Sequence, residues 1–172
     1  ISLSKSRDLE SFDLTKETEE TRDRYGRDNF GQGCLLARRL IENKVRFVEV
    51  SYGGWDMHND VFGNMETRGA VLDSGLSSLL QDLDMRGLLS QTMVVVASEF
   101  GRSPEIKAGR VGRDHHPSSF SALFAGGGIK GGYVHGKSDE RAHYVEENGV
   151  DIESINATIA YAMGLSVEKI TY

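Results

Sequence analysis

The sequence has one cysteine, Cys34, which excludes a disulfide framework within the chain and a cysteine-based zinc knuckle. Cys34 lies in Gly33-Cys34-Leu35-Leu36-Ala37, which reads as a helix face, so its expected role is a small buried hydrophobe. No stretch approaches the roughly 20 apolar residues of a membrane span. A basic surplus is also lacking: the formal net charge is −6, which argues against nonspecific nucleic-acid binding, since phosphate needs a basic face. Proline is scarce, at 2 residues, whereas glycine is abundant, at 20. Many of the glycines gather between Gly101 and Gly136, the composition of long shaped loops, where sites tend to sit.

What is present is a soluble globular balance, with 38% apolar and 27% charged residues. At 172 residues the chain can bury a core without staples. It begins at Ile1 and not at Met, so the expectation is a C-terminal portion of something longer, with a flexible stretch over residues 1–12. Asp13 caps a predicted helix over Lys16 to Tyr25 that Gly26 closes. A second helix is expected from Asn29 to Glu42, where Leu35, Leu36, Leu40 and Ile41 form an apolar stripe. Val45 to Tyr52 is rich in branched and aromatic residues and predicts a strand. A loop carrying Trp55, Asp56, Met57 and His58 follows it.

A long helix is expected from Glu66 to Arg86, with Leu72, Leu76, Leu79, Leu80 and Leu83 on one face and Gly87 as its stop. The apolar run Thr92 to Ala97 reads as a strand buried on both faces of a parallel sheet. Phe120 to Ala125 is a further strand candidate, ended by the turn Gly126-Gly127-Gly128. Tyr133-Val134 suggests a short hairpin. Asp151 caps a final helix, Ile152 to Met163, which Gly164 ends. This order predicts an α/β fold, a mostly parallel sheet flanked by helices.

In open α/β sheets, sites form at the C-terminal ends of strands. One predicted strand delivers Asp56 and His58, a second delivers Glu99, and a third loop delivers Asp114, His115 and His116. Mixtures of carboxylate and imidazole are what zinc, manganese and related ions accept. Such an ion polarises a phosphoryl or sulfuryl oxygen and acidifies a bound nucleophile. Arg102 and Arg113 stand in the same loops, where a guanidinium pairs with a tetrahedral anion through two prongs. Each piece also has a plainer reading. Asp56 and His58 alone are what a surface loop carries, and Glu99 needs a partner such as Arg102 or Arg113, in which case the acids and arginines form an ion-pair network. His135 and His143 read as ordinary surface residues, and Trp55 as a core plug.

The segments Gly33 to Leu40, Trp55-Asp56-Met57-His58, Glu99-Phe100-Gly101-Arg102-Ser103-Pro104, Gly112-Arg113-Asp114-His115-His116-Pro117 and Ala125 to Gly132 resemble, in that order, a large sulfatase-like bacterial family of unknown function. The resemblance runs from about Phe12 to Ile170. That family looks like a branch of the alkaline phosphatase superfamily, so residues 1–172 would be the C-terminal part of one alkaline phosphatase-like α/β domain. The resemblance implies a metal-binding pair at Asp56 and His58. Glu99-Phe100-Gly101 resembles an Asp-His-Gly segment, and His115 or His116 resembles a late metal-binding histidine. There are departures: one residue separates Asp56 from His58 where phosphatases place three, and Phe100 replaces a ligand histidine. The superfamily's nucleophile lies on an early strand that has no counterpart here.

The resemblance therefore implies metal-dependent hydrolysis of a sulfate or phosphate ester by the parent protein, with the nucleophile supplied from elsewhere. The cofactor would be a divalent ion (zinc, manganese or calcium), and the partner a small anionic ester or a sulfated polysaccharide. Many family members carry a twin-arginine export signal, which implies a periplasmic or secreted location. The rival is a metal-stabilised binding or scaffold protein of the same fold, a reading that Phe100 favours.

Overall fold

A computed structural model describes residues 7–166, and its chain divides into two compact units, Ile1–Thr92 and Met93–Tyr172. The part of the expected flexible stretch before residue 7 lies outside the described residues. Residues Arg7–Phe12 form a 3-10 turn in which Ser11 is buried.

The first unit is helical because its start and stop signals are strong. Asp13 does cap a helix, but only the 3-10 turn Leu14–Lys16; the α-helix begins later, as α1 (Glu19–Tyr25). Thr18 is its N-cap, with Oγ1 accepting the Thr21 amide at 3.1 Å. Glu19 and Glu20 then sit in the first turn and Arg22 and Arg24 in the last, which suits the helix dipole. α2 (Asn29–Glu42) has the predicted bounds, and Asp28 Oδ1 takes the Phe30 and Gly31 amides, both at 2.9 Å. α3 (Val61–Met85) starts five residues before the expected Glu66. Its buried positions Gly75, Ser78, Leu79, Asp82 and Leu83 recur at helical spacing. Gly75 lets the helix approach closely, since a Cβ there would stand 2.9 Å from Phe30 Cε1.

The apolar core of this unit gathers Tyr25, Cys34, Leu35, Leu79 and Leu83, all at or below 9% exposure. Cys34 is buried as expected, and burial first, then the charge of Asp28, pushes its thiol up to about 12. Within the same core lies a charged network. Arg38, 2% exposed, donates to Glu17 at 2.6 Å and to Glu42 at 2.9 Å, and its Nε stands 3.4 Å from Asp82 Oδ2. Asp82, 1% exposed, also receives the Tyr25 hydroxyl at 2.9 Å and the Arg24 guanidinium at 2.5 Å. Arg39 joins Glu17 through a very short contact.

The strand expected over Val45 to Tyr52 does not form; the segment is an unpaired extended loop. Branched and aromatic residues favour strands because they fit a half-buried pleated surface, and among its described residues this helical unit holds no strand to pair with. Val45 and Phe47 stay exposed, while Val50 lies against Gly33 of α2 and Tyr52 stacks on Phe30 at 4.6 Å.

In the second unit the predicted mostly parallel sheet is replaced by three two-stranded antiparallel ladders among the described residues. β1 (Met93–Val96) pairs with β4 (Leu123–Gly126), in the register Met93 to Gly126 and Val96 to Leu123. β2 (Gly101–Arg102) pairs with β3 (His115–His116), and β5 (Lys137–Ser138) with β6 (Val145–Glu147). An apolar run reports burial, not strand direction, so the valines of β1 do not reveal that their partner runs antiparallel. They are half-buried, not covered on both faces. Tyr133-Val134 is not a hairpin; the hairpin is β5–β6, just beyond it. Gly126–Gly128 is a plain turn, closed by the Ile129 amide on the Gly126 carbonyl at 2.8 Å. α4 (Ile152–Ala162) is capped by Asp151, which accepts the Ser154 amide at 2.7 Å.

Removing one member of a buried ion pair leaves the other unpaired. Asp82→Ala is therefore expected to destabilise the protein by about 3–5 kcal/mol, read as a lower urea midpoint. Acidification adds a second test. Burial raises the Glu17 carboxyl, but hydrogen bonds from Arg38 and Arg39 outweigh it and hold the group below its ordinary 4.5. A depressed folded value stabilises above the unfolded one and is lost as pH falls through the folded one. Melting temperature should thus fall as pH drops below 4.5, and Glu17→Gln should flatten that fall.

Candidate functional site

In the first unit the candidate residues stand on the loop between α2 and α3. Gly53 and Gly54 precede the candidates on that loop, and Gly54 has φ 88°, a conformation that suits glycine. A Cβ on Gly54 would stand 2.4 Å from the Arg68 guanidinium, which donates to the Gly53 carbonyl at 2.9 Å. Arg68 belongs to α3, so the helix holds down the loop that precedes it. Tyr52 meets Trp55 edge-on at 5.4 Å, which seats Trp55 against the aromatic pair beneath. Met57 is then buried, at 6% exposure, and the residues on either side of it turn outward. Asp56 and His58, 56% and 33% exposed, bring Oδ1 and Nε2 within 3.0 Å of each other. A carboxylate oxygen and an imidazole nitrogen in contact at a loop tip are one donor of each kind that a divalent ion accepts.

In the second unit two motifs that are separate in the sequence become the two arms of one irregular hairpin. β2 and β3 bring Gly101 opposite His116 and Arg102 opposite His115. The pairing continues outward, with the Ser103 amide on the Asp114 carbonyl at 2.8 Å and the Lys107 amide on the Gly112 carbonyl at 3.0 Å. Gly101 makes the pairing possible, because a Cβ there would fall 2.0 Å from the Ser119 carbonyl oxygen.

The predicted residues on this hairpin differ in what surrounds them. Arg113 donates to the Ser103 and Pro104 carbonyls, both at 2.6 Å, and so ties one arm to the other. Glu99 receives Arg102 at 2.8 Å, and Arg102 also lies over the Phe100 ring at 5.0 Å. Asp114 receives Lys107 at 2.7 Å. The Glu99–Arg102 pair is one that the plainer reading of the sequence anticipates, whereas Asp114 finds a lysine and Arg113 two carbonyls. His115 is exposed and lies beside Phe100, with ring centroids 4.7 Å apart. His116 is half-buried, and its Nε2 sits 2.6 Å from the His143 carbonyl.

His143, expected from the sequence to be an ordinary surface residue, is instead half-buried and bonded on three sides. Its ring joins Glu105 through a very short contact, and its amide donates to Asp139 Oδ1 at 2.8 Å. A hydrogen bond from its own backbone first, and then His143, hold the Glu105 carboxyl below the ordinary carboxylate range. The His143 amide, ahead of the Arg141 amide, does the same for Asp139. No local pattern announces His143, because its partner Glu105 is 38 residues away. His135 is exposed, as expected of a surface residue.

The chain belongs to the family described as protein of unknown function (DUF1501), whose model matches residues 4–172. No curated protein and no solved structure matches it significantly. Among the described residues no helix is long and apolar enough to cross a membrane.

Gly101→Ala should break the β2–β3 pairing, since the added methyl meets backbone on both sides. The expected outcome is loss of amide exchange protection at Ser103 and Lys107, with protection of the α2 amides unchanged. Retained protection at Ser103 would show that the hairpin does not depend on this glycine.

Proposed function

We propose that the parent protein hydrolyses a sulfate or phosphate ester with the help of a divalent metal ion, zinc, manganese or calcium. This chain supplies metal ligands, and the nucleophile comes from outside these residues. The observation that carries the proposal is the Asp56–His58 pair, whose donor atoms stand 3.0 Å apart on a loop that Arg68 and Met57 anchor from below. The candidates from the second unit are Glu99, Asp114, His115 and His116. A metal ion would polarise the ester oxygen and stabilise the charge that develops on it. Arg102 and Arg113 are the candidates for holding the anion. Resemblance to sulfatase-like sequences supports the substrate class, a small anionic ester or a sulfated polysaccharide, and an exported location.

A second reading has its own support. Glu99 with Arg102, and Asp114 with Lys107, already form ion pairs, which suits a binding or scaffold protein whose acids serve the fold.

Elemental analysis of the purified protein decides between them. The first reading expects near-stoichiometric zinc, manganese or calcium, lost in Asp56→Ala/His58→Ala, together with hydrolysis of a chromogenic sulfate or phosphate ester by the full-length protein. Absence of bound metal in supplemented buffer, or absence of esterase activity with any of these ions, would overturn it.

A further inference from the structure

The arginines of the first unit are matched with carboxylates almost throughout. Arg22, Arg24, Arg27, Arg38, Arg39 and Arg86 each meet one or more. Arg68 of α3 is half-buried and meets no carboxylate among the described residues. Its Nη1 donates to the Gly53 carbonyl at 2.9 Å, and its Nε is buried with no hydrogen-bond partner. A carbonyl accepts a hydrogen bond but carries no charge, so the guanidinium keeps its full positive charge uncompensated. Withdrawing a cation from water without a counter-charge costs stability, which is why buried charges are as a rule paired.

The position of this charge is fixed. A Cβ on Gly54 would stand 2.4 Å from both Cζ and Nη2 of Arg68 and 2.5 Å from Nη1, so the guanidinium lies flat against the glycine. A side chain at that position would displace it. The Tyr52 hydroxyl reaches the Arg68 carbonyl at 3.4 Å, which ties the same turn of α3 to the chain just before the glycines. The cation is therefore held against the backbone of Gly54, two residues before Asp56, and does not swing on a free side chain. A guanidinium carries more donors than the one that Gly53 takes, and its planar spread of N–H groups suits sulfate and phosphate oxygens.

We infer that the missing counter-charge arrives with a ligand: Arg68 binds a tetrahedral oxyanion, the sulfate or phosphate group of an ester. The assignment to an ester rests on the hydrolysis reading above. The uncompensated charge and the anion it calls for stand on the contacts of Arg68 alone.

The test titrates the protein, kept metal-free with a chelator, first with sodium sulfate and then with phenyl sulfate, and follows nitrogen-15 NMR signals. Both anions are expected to shift the Gly53 and Gly54 amides and the Arg68 Nε–H signal, and sodium chloride at matched ionic strength is expected to leave them in place. Arg68→Gln removes the charge and keeps a donor for the Gly53 carbonyl. It should weaken sulfate binding by about 10- to 100-fold, the worth of a charge-assisted hydrogen bond. Arg68→Lys keeps the charge without the planar fork and should fall between the two. Signals of the unsubstituted protein that do not move with sulfate, or that move equally with chloride, would overturn the inference and leave Arg68 as an anchor of the loop. So would an unchanged sulfate affinity in Arg68→Gln. Binding of sulfate without phenyl sulfate would overturn the assignment to an ester. Because no metal is present in this titration, anion binding at Arg68 would survive a failure of the metal and esterase tests, and its own failure would leave those tests untouched.

Discussion

Everything in the first unit is arranged around a charge that cannot reach water. Arg38 projects from α2 into the space between three helices, and Asp82 meets it from α3. Two charges withdrawn from solvent repay their desolvation only when their remaining donors and acceptors are also satisfied. That demand recruits the neighbours: Tyr25 and Arg24 from α1 on Asp82, Glu17 from the segment before α1, and Glu42 from the end of α2. The helices of this unit are thus oriented by polar pairing as much as by apolar contact. An apolar core of the same volume would tolerate a helix rotated by part of a turn. Arg38 bonded to Glu17 and Glu42, with Asp82 bonded to Tyr25 and Arg24, does not, because rotation breaks several bonds at once.

The loop that bears Asp56 and His58 inherits this rigidity. Arg68 and Met57 fix the loop to the helical frame, and the frame is fixed by the network beneath it. Pre-organisation of this kind matters for a metal site, because ligands that must be ordered on binding cost affinity. A carboxylate and an imidazole already in contact carry less of that cost. The same contact is also what a plain surface ion pair looks like, and on a half-exposed loop such a pair contributes little to stability. Stability alone therefore gives little reason for the pair to be there.

The sequence made local structure legible and long-range pairing illegible. The stripe Leu35, Leu36, Leu40 and Ile41 places α2 at its observed bounds, and Gly26 marks the end of α1, since stops and periodicity act within a few positions. Asp151 does the same for α4. Val45 to Tyr52 and Thr92 to Ala97 depart from expectation in different ways. The first has the composition of a strand but no partner within its unit, and the second is a strand whose direction its composition does not encode. The candidate residues were legible as three segments, yet nothing local shows that Glu99 to Pro104 and Gly112 to Pro117 are arms of one hairpin. The Gly101 approach to Ser119 and the Arg113 bonds to Ser103 and Pro104 bring them together, and these are tertiary contacts.

Four of the candidate residues are engaged within the second unit. Arg113 is spent on two carbonyls, Asp114 on Lys107, Glu99 on Arg102, and His116 on the His143 carbonyl. Each of those bonds would have to be given up before the group met a ligand. A buried or half-buried donor released in that way costs about 1–3 kcal/mol unless the ligand replaces it. Asp56 and His58 face each other across a contact that a metal ion would replace on both sides at once, since each would exchange its neighbour for the cation.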